Sequence, residues 1–489
     1  MYHQPSKRKR LINLIAVYTI MTIAVVGIVT VIVLFMLGFR FNANGGNLEQ
    51  YAFLQFSSTP SGATVTVDGA VIGSKTPNKT SVPAGKHEIM MWRDGYETWH
   101  KTVDIKAGTL TWLNYTLLVP KKLPVEVEAH YSSIYATLAS PTGNSMLVAE
   151  KSDTPTFNLV DLGSDTIKTT KLVIPTNIYS ESTTVGISHT FQINKWDDGG
   201  RYVLIRHIYG AKDEWLVLDT QSVASTKNIT RLFDVSISDI VFSGTSGNVF
   251  YALVSSDIRK LDLSAGTISK PFVSNVNSFD IYSDSNVITY IGTNTDSVPK
   301  RVMGIYRDGD EKSSVIRTIA ATQTGPIHIA TAHYFNQDYV VISEGKKVDI
   351  LSGSYPNTTS DNTTTLKNIA SFNTTEDVQK LTFSPIGEYV FAQSGAYFAS
   401  YDLEYQKLAS TTISGTTAMS QLKWLDKNYV WSDRDGKLTI REFDGANTHT
   451  INDVTVGQDA TLTHNGRYLY SINKNATDYQ LQRVRMILP

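Results

Sequence analysis

Two histidines, His328 and His333, stand five residues apart, and a metal held between them would need both rings on one side of the backbone. The text around them reads as a strand, so an odd separation puts them on opposite faces and no shared metal is expected. Asp433-Arg434-Asp435-Gly436 opens like a calcium loop but lacks the later Asp or Glu ligands, and reads as a hairpin turn. The chain holds no Gly-x-Ser-x-Gly, no His-Glu-x-x-His and no Gly-rich segment ending in Gly-Lys-Ser/Thr. Serine-hydrolase, zinc-protease and phosphate-cradling chemistry therefore lack their usual residues. With no cysteine at all, thiol nucleophiles, thiolate metal sites and disulfides are excluded. No catalytic, cofactor-binding or metal-ligating residue is assigned, and the chain is expected not to be an enzyme. What remains is aromatic: Trp92, Tyr96, Trp99, Trp112 and Tyr115. Such rings either fill a core or form a platform on which sugars stack. Trp99 and Trp112 border turns and are the candidate glycan contacts.

The elements that would position these residues begin with a biased N-terminus. Overall, 44 Lys+Arg oppose 45 Asp+Glu, but the first forty residues hold no acid and carry Lys7, Arg8, Lys9, Arg10 and Arg40. The remainder therefore has 39 basic groups against 45 acidic ones, a net of −6. It has no basic surplus with which to neutralise a phosphate backbone, so nucleic acid is not an expected partner. Between the basic residues runs an uncharged apolar segment, 11–39, interrupted mainly by Asn13, Thr19, Thr22 and Thr30. As a helix it would reach about 43 Å, more than the roughly 30 Å hydrocarbon core. A cleaved signal peptide would have an apolar region of about 7–15 residues ending at a small-residue site, and Met36-Leu37-Gly38-Phe39-Arg40 is a poor one. The segment is expected to be an uncleaved transmembrane signal anchor in the plasma membrane, with the lipid bilayer as its partner. The basic cluster on its N-terminal flank places residues 1–10 in the cytoplasm and everything after Arg40 outside, a single-pass topology.

Residues 40–50 include Asn42-Ala43-Asn44-Gly45-Gly46-Asn47, which reads as a flexible linker. From 51 to 119 the text alternates with period two: Ala63–Val67 runs into Asp68-Gly69 as a hairpin, and strands follow at 87–92, 97–105 and 111–118. A small β-sandwich is expected. This stretch resembles the PEGA domain, through Ser58-Thr59-Pro60-Ser61-Gly62-Ala63, Val65-Thr66-Val67-Asp68-Gly69, Thr76-Pro77, Val82-Pro83-Ala84-Gly85-Lys86-His87 and Gly95-Tyr96. Ser61 stands where the name-giving sequence has Glu. The resemblance implies an extracytoplasmic β-module of the cell envelope, in contact with envelope or carbohydrate, with no established activity.

After a linker at 120–124, residues 125–489 contain an internal repeat. Eight turns rich in Gly, Asp or Asn each precede an apolar strand: 140–144, 197–201, 244–248, 283–286, 336–338, 384–388, 425–428 and 464–467. Their spacing averages about 46 residues, within the range of propeller blades. The repeat resembles TolB-like and WD-like propeller repeats, best at Ser384-Pro385-Ile386-Gly387-Glu388, and this implies a propeller that binds proteins or peptides. The Asp box of hydrolytic propellers is absent. Val125–Ala129 is expected to close the ring by pairing with 479–487. Ser352–Asn368 reads as a long solvated loop.

The expected fold is thus an all-β ectodomain: a transmembrane helix, a PEGA-like β-sandwich, then a seven- or eight-bladed β-propeller. The expected function is a membrane-anchored binding or scaffolding protein of the cell envelope or cell surface. Its propeller would present a face to an envelope protein or cell-wall glycan. The alternative is an envelope glycan hydrolase using carboxylates of the propeller's central channel, about 5–9 Å apart.

Overall fold

The structure is a computed structural model and describes residues 7–41, 48–181, 186–282, 286–356, 366–417, 419 and 421–489. The Asn42–Asn47 segment, Ser283–Ser285 of the fourth repeated turn and 357–365 of the long loop lie outside the described residues. The chain divides into two compact units, Met1–Lys122 with Leu488–Pro489, and Leu123–Ile487.

In the first unit the apolar run forms one helix, Lys7–Met36. It reaches back through the basic residues, which are good helix formers, and stops short of the expected Phe39. The stop lies at Gly38, whose φ of +84° suits glycine. The Leu37 amide donates to the Val33 carbonyl at 2.9 Å and that of Gly38 to the Phe35 carbonyl at 3.1 Å, closing the last turn. The hydroxyls of Thr19, Thr22 and Thr30 donate to the carbonyls of Ile15, Tyr18 and Val26 four residues back. The three threonine hydroxyls are therefore satisfied inside the helix. Arg8–Met36 is long and apolar enough to cross a membrane.

The expected flexible linker over 40–50 is corrected at both ends. Phe39–Phe41 pairs antiparallel with Leu48–Gln50, Phe39 opposite Gln50 and Phe41 opposite Leu48. The Tyr51 amide then donates to the Gly38 carbonyl at 2.9 Å, and the Gln50 side-chain amide donates to the Leu37 carbonyl at 3.0 Å.

Two sheets follow. One has three strands, Asn78–Val82, Ala52–Thr59 and Leu110–Leu117, the last two parallel. The other has four, Ala70–Val71, Thr64–Val67, Gly85–Trp92 and Trp99–Ile105. The Asp68-Gly69 turn has both residues at positive φ, +50° and +80°, the conformation that matches a two-residue hairpin to strand twist. Alternate residues of both sheets meet in one core: Leu54, Phe56 and Leu113 from one side, Val65, Ile89, Met91 and Trp99 from the other.

The second unit is a succession of eight four-stranded antiparallel sheets among the described residues. Sheets 1 to 7 begin in chain order with Ala136–Ala139, His189–Trp196, Ile237–Phe242, Val276–Ile281, Ile327–Tyr334, Lys380–Phe383 and Leu422–Trp424, each adding its next three strands in sequence. Sheet 8 takes Thr461–Leu462, Tyr468–Lys474 and Tyr479–Arg485 from the end of the unit and Val125–Tyr131 from its start. The expected closing pair is present, with Val125 opposite Val484 and Tyr131 opposite Tyr479.

The seven repeated turns that are fully described each lie at the junction of the first and second strands of a sheet. The best of them share one device. The Ser384 Oγ accepts the Tyr389 amide and the Thr463 Oγ1 the Tyr468 amide, while a carboxylate oxygen of Asp197 does the same for Tyr202. Gly200, Gly387 and Gly466 supply positive φ at 69°, 78° and 68°. Apolar clusters weld sheet to sheet: Leu147 and Phe157 with Val203 and Leu216, for example, and Val341 and Ile350 with Val390 and Ala399. The first sheet also packs on the last, since Tyr131, Met146 and Val148 share a cluster with Tyr468, Tyr470 and Leu481. This arrangement fits a propeller.

Candidate functional site

In the first unit the three-stranded sheet turns one face to its core and leaves the other open. Strand alternation sends Ala52, Leu54, Phe56 and Leu113 inward, so Phe53, Gln55, Leu110 and Trp112 point outward. Phe53 lies opposite Leu110 and Gln55 opposite Trp112. Phe53, Leu110 and Trp112 are 40%, 45% and 39% exposed. On the far side, Lys79 is paired with Gln55 and Ser81 with Phe53. An indole and a phenyl ring flanked by an amide, an ammonium and a hydroxyl form a surface of the kind that stacks on a sugar ring and hydrogen-bonds its edge.

Trp99 is not part of it. The structure corrects that expectation: Trp99 is 2% exposed, sits in the core and meets Tyr115 edge-on at 6.3 Å. Parity would have separated the pair, because Trp99 is in phase with the buried Ile105, whereas Trp112 is out of phase with the buried Leu113. The same alternation would have found Phe53. Of the flanking cations, Arg8, Lys9 and Arg10 are exposed in the first turn of the helix. Arg40, past its end, stacks its guanidinium over the Phe35 ring at 4.3 Å.

In the second unit the first strands of the sheets bring distant ionisable groups together. Lys195 of sheet 2 lies 3.6 Å from Asp280 of sheet 4. Lys423 of sheet 7 lies 3.2 Å from Asp459, whose carboxylate accepts the Ala139 amide of sheet 1 at 3.0 Å. Contacts that skip a sheet, and that join the last to the first, are those of strands around an axis. Asp239, on the first strand of sheet 3, is within electrostatic reach of both. Burial raises its pKa, and the nearby Asp280 carboxylate raises it further. On the other side burial lowers Lys380, with Lys423 adding to the effect. Asp239 therefore holds its proton to higher pH than an exposed aspartate does, near the Asp280 carboxylate, which is 70% exposed. His328 and His333 have separate partners, the Val378 carbonyl and Asp338. Asp433–Gly436 joins the second and third strands of sheet 7 as a turn.

Residues 53–119 form a PEGA domain, in agreement with the resemblance carried by Ser58–Ala63 and the turns that follow. No curated protein matches the chain. Among solved structures, an oligogalacturonate lyase in complex with manganese is similar over 73% of this chain and 98% of its own, at 10% identity and a TM-score of 0.40. That protein is an enzyme, which corrects the expectation of a chain without catalytic activity. Folds of one kind host catalysts and binding proteins alike, and the missing sequence motifs are no ground for excluding catalysis.

Proposed function

We propose that the chain is a single-pass, membrane-anchored protein of the cell envelope. Residues 1–10 lie in the cytoplasm, and both folded units lie outside. The PEGA sheet face contacts an envelope glycan or protein, and an eight-bladed propeller offers a further surface for assembly. The observation that carries this reading is the join between anchor and module. The carbonyls of Leu37 and Gly38, at the helix end, accept hydrogen bonds from Gln50 and Tyr51 at the start of the PEGA strands. The sheet is thereby held at the membrane surface, where an envelope polymer is within reach. Arg8, Lys9 and Arg10 against the single Arg40 support the orientation.

The test is co-sedimentation of the detergent-solubilised full chain with purified cell-wall sacculi, beside the Trp112→Ala and Phe53→Ala variants. Retention that both variants weaken supports the reading. Equal retention of all three, or none of any, removes the sheet face from it. Protease digestion of intact spheroplasts should degrade everything past Arg40. Protection of the folded units would reverse the topology.

The Asp239–Asp280–Lys195 group supports a second reading, an envelope glycan hydrolase with Asp239 as acid and Asp280 as base or nucleophile. Release of reducing ends from wall polymer, lost in Asp280→Asn, would favour it over assembly alone.

A further inference from the structure

Between the fourth strand of sheet 6, Lys407–Thr412, and the third and fourth strands of sheet 7, Lys437–Glu442 and His449–Asp453, lies a cleft of about 390 Å³. That volume is in the range of small-molecule sites, about 300–1,000 Å³. Its chemistry follows from strand parity. Leu438 and Ile440 are wholly buried on one face of their strand, so Lys437, Thr439 and Arg441 share the other and line the cleft. Ser432 and Thr450 flank Thr439 in register, and Thr411 and Thr412 stand on the facing wall.

Arg441 is the unusual member. It is 5% exposed, and its one hydrogen bond among the described residues runs from Nη2 to the Ser432 hydroxyl at 3.2 Å. The Nε–H is buried with no partner. No carboxylate pairs with this guanidinium among the described residues, and burial alone lowers its pKa to about 10. It is still charged at neutral pH, and a buried charge without a counter-ion is destabilising.

The acids nearby are engaged elsewhere. Glu442 is on the opposite face of the strand and accepts from Tyr429 and Asn447. Asp433 accepts the amides of Gln421 and Gly457. Asp453 pairs with Lys437. Asp435, the one acid lining the cleft among the described residues, is held at about 2 by hydrogen bonds from Thr417 and Thr416. Arg434 spends its guanidinium on the carbonyls of Ile413, Gly415 and Thr417.

We propose that this cleft binds a carboxylate carried on a polyhydroxy body, with Arg441 as its counter-ion. A guanidinium offers paired N–H donors that match the two oxygens of a carboxylate. Threonine and serine hydroxyls, each donor and acceptor at once, match the hydroxyls of the ligand. One uncommitted cation suits a monoanion, whereas a phosphate dianion would bring a second negative charge beside Asp435. The proposal goes beyond the envelope reading and does not depend on it.

The test is calorimetric titration of the full chain in detergent with sodium D-gluconate, with glucose and inorganic phosphate as comparators. Saturable gluconate binding is expected, absent for glucose and weaker for phosphate. Arg441→Gln should weaken it about tenfold or more, and Thr439→Val, at the same face, several-fold. Arg441→Met should raise the unfolding midpoint of the unliganded chain by a few degrees, because a buried uncompensated charge is removed. A lowered midpoint in both Arg441 variants would make the arginine structural and overturn the proposal. Absence of gluconate binding, tighter binding of phosphate, or gluconate binding that neither Arg441→Gln nor Thr439→Val affects would overturn it equally.

Discussion

Glu388 ends the turn Ser384–Glu388 of sheet 6, and its carboxyl is pushed up to about 7 by burial first, then by the carboxylates of Asp402 and Glu404. A hydrogen bond with Tyr389 and the charge of Lys427 offset only part of this. The ordinary value is 4.5, so ionising Glu388 is harder in the folded chain than in the unfolded one. The sign follows: whatever stability the protonated form allows is fully present below about 4.5, declines as pH rises through 7, and is absent above it. The difference between about 7 and 4.5, at about 1.36 kcal/mol per pH unit, is about 3 kcal/mol. Glutamine copies the shape of the protonated carboxyl without the charge. Glu388→Gln should therefore stabilise the second unit by about 3 kcal/mol at pH 8 and by almost nothing at pH 4.5. For a unit of 365 residues, Leu123–Ile487, an unfolding entropy of about 2.1 cal/mol/K per residue converts this to about 4 °C in midpoint. Tryptophan-fluorescence melts of the full chain in detergent, wild type and variant, at pH 4.5, 6 and 8 measure it. An equal shift at all three pH values, or a destabilised variant at pH 8, would refute the reasoning.

Other substitutions test other parts of the architecture. Trp99→Ala should destabilise the PEGA unit by about 3–5 kcal/mol, as buried aromatic truncations do, and Trp112→Ala by well under that; chemical denaturation followed by circular dichroism separates them. Burial pushes Glu214 up, but hydrogen bonds from His207, Ser180 and Asn228 outweigh it and hold the carboxyl at about 2. Its contribution is present above 4.5 and lost as pH falls through 2, so the melting gap between wild type and Glu214→Gln should be about 4 °C at pH 5 and close progressively in more acid buffers. Arg483 ties Tyr479–Arg485 to its neighbour Val125–Tyr131 in sheet 8 through Glu126 at 2.7 Å and Glu128 at 2.9 Å. Arg483→Ala should cost about 1–3 kcal/mol and speed hydrogen exchange in 125–131 before any other strand.

What could be read from the text was what repeats locally. Turns such as Asp197–Arg201 and Ser384–Glu388 are legible because a capping oxygen, a positive-φ glycine and an apolar strand sit within a few residues of one another. The N-terminal apolar helix was legible from its composition, although its end was set by Gly38 and not by the last apolar residue. Trp99 was misjudged because nearness to a turn was weighed above phase with Ile105. The groups with chemistry were harder. Lys195 and Asp280 are separated by a whole sheet of sequence and meet because the first strands converge. Arg441 reads as an ordinary outward residue of an alternating strand. That it is buried, with no carboxylate partner among the described residues, depends on the wall supplied by sheet 6, which no pattern within sheet 7 contains.

The way sheet 8 is assembled also sets a clock. His130 and its partner Asp478 are 348 residues apart, and at about 5–20 residues per second the ribosome needs roughly 20–70 s to supply the second after the first. Throughout that interval the strand Val125–Tyr131 has no mate and its edge is open to any other extended chain. A chain interrupted before Tyr479 would leave it so permanently. Sheet 8 thus makes arrival of the final strand the event that converts a vulnerable nascent product into a protected one.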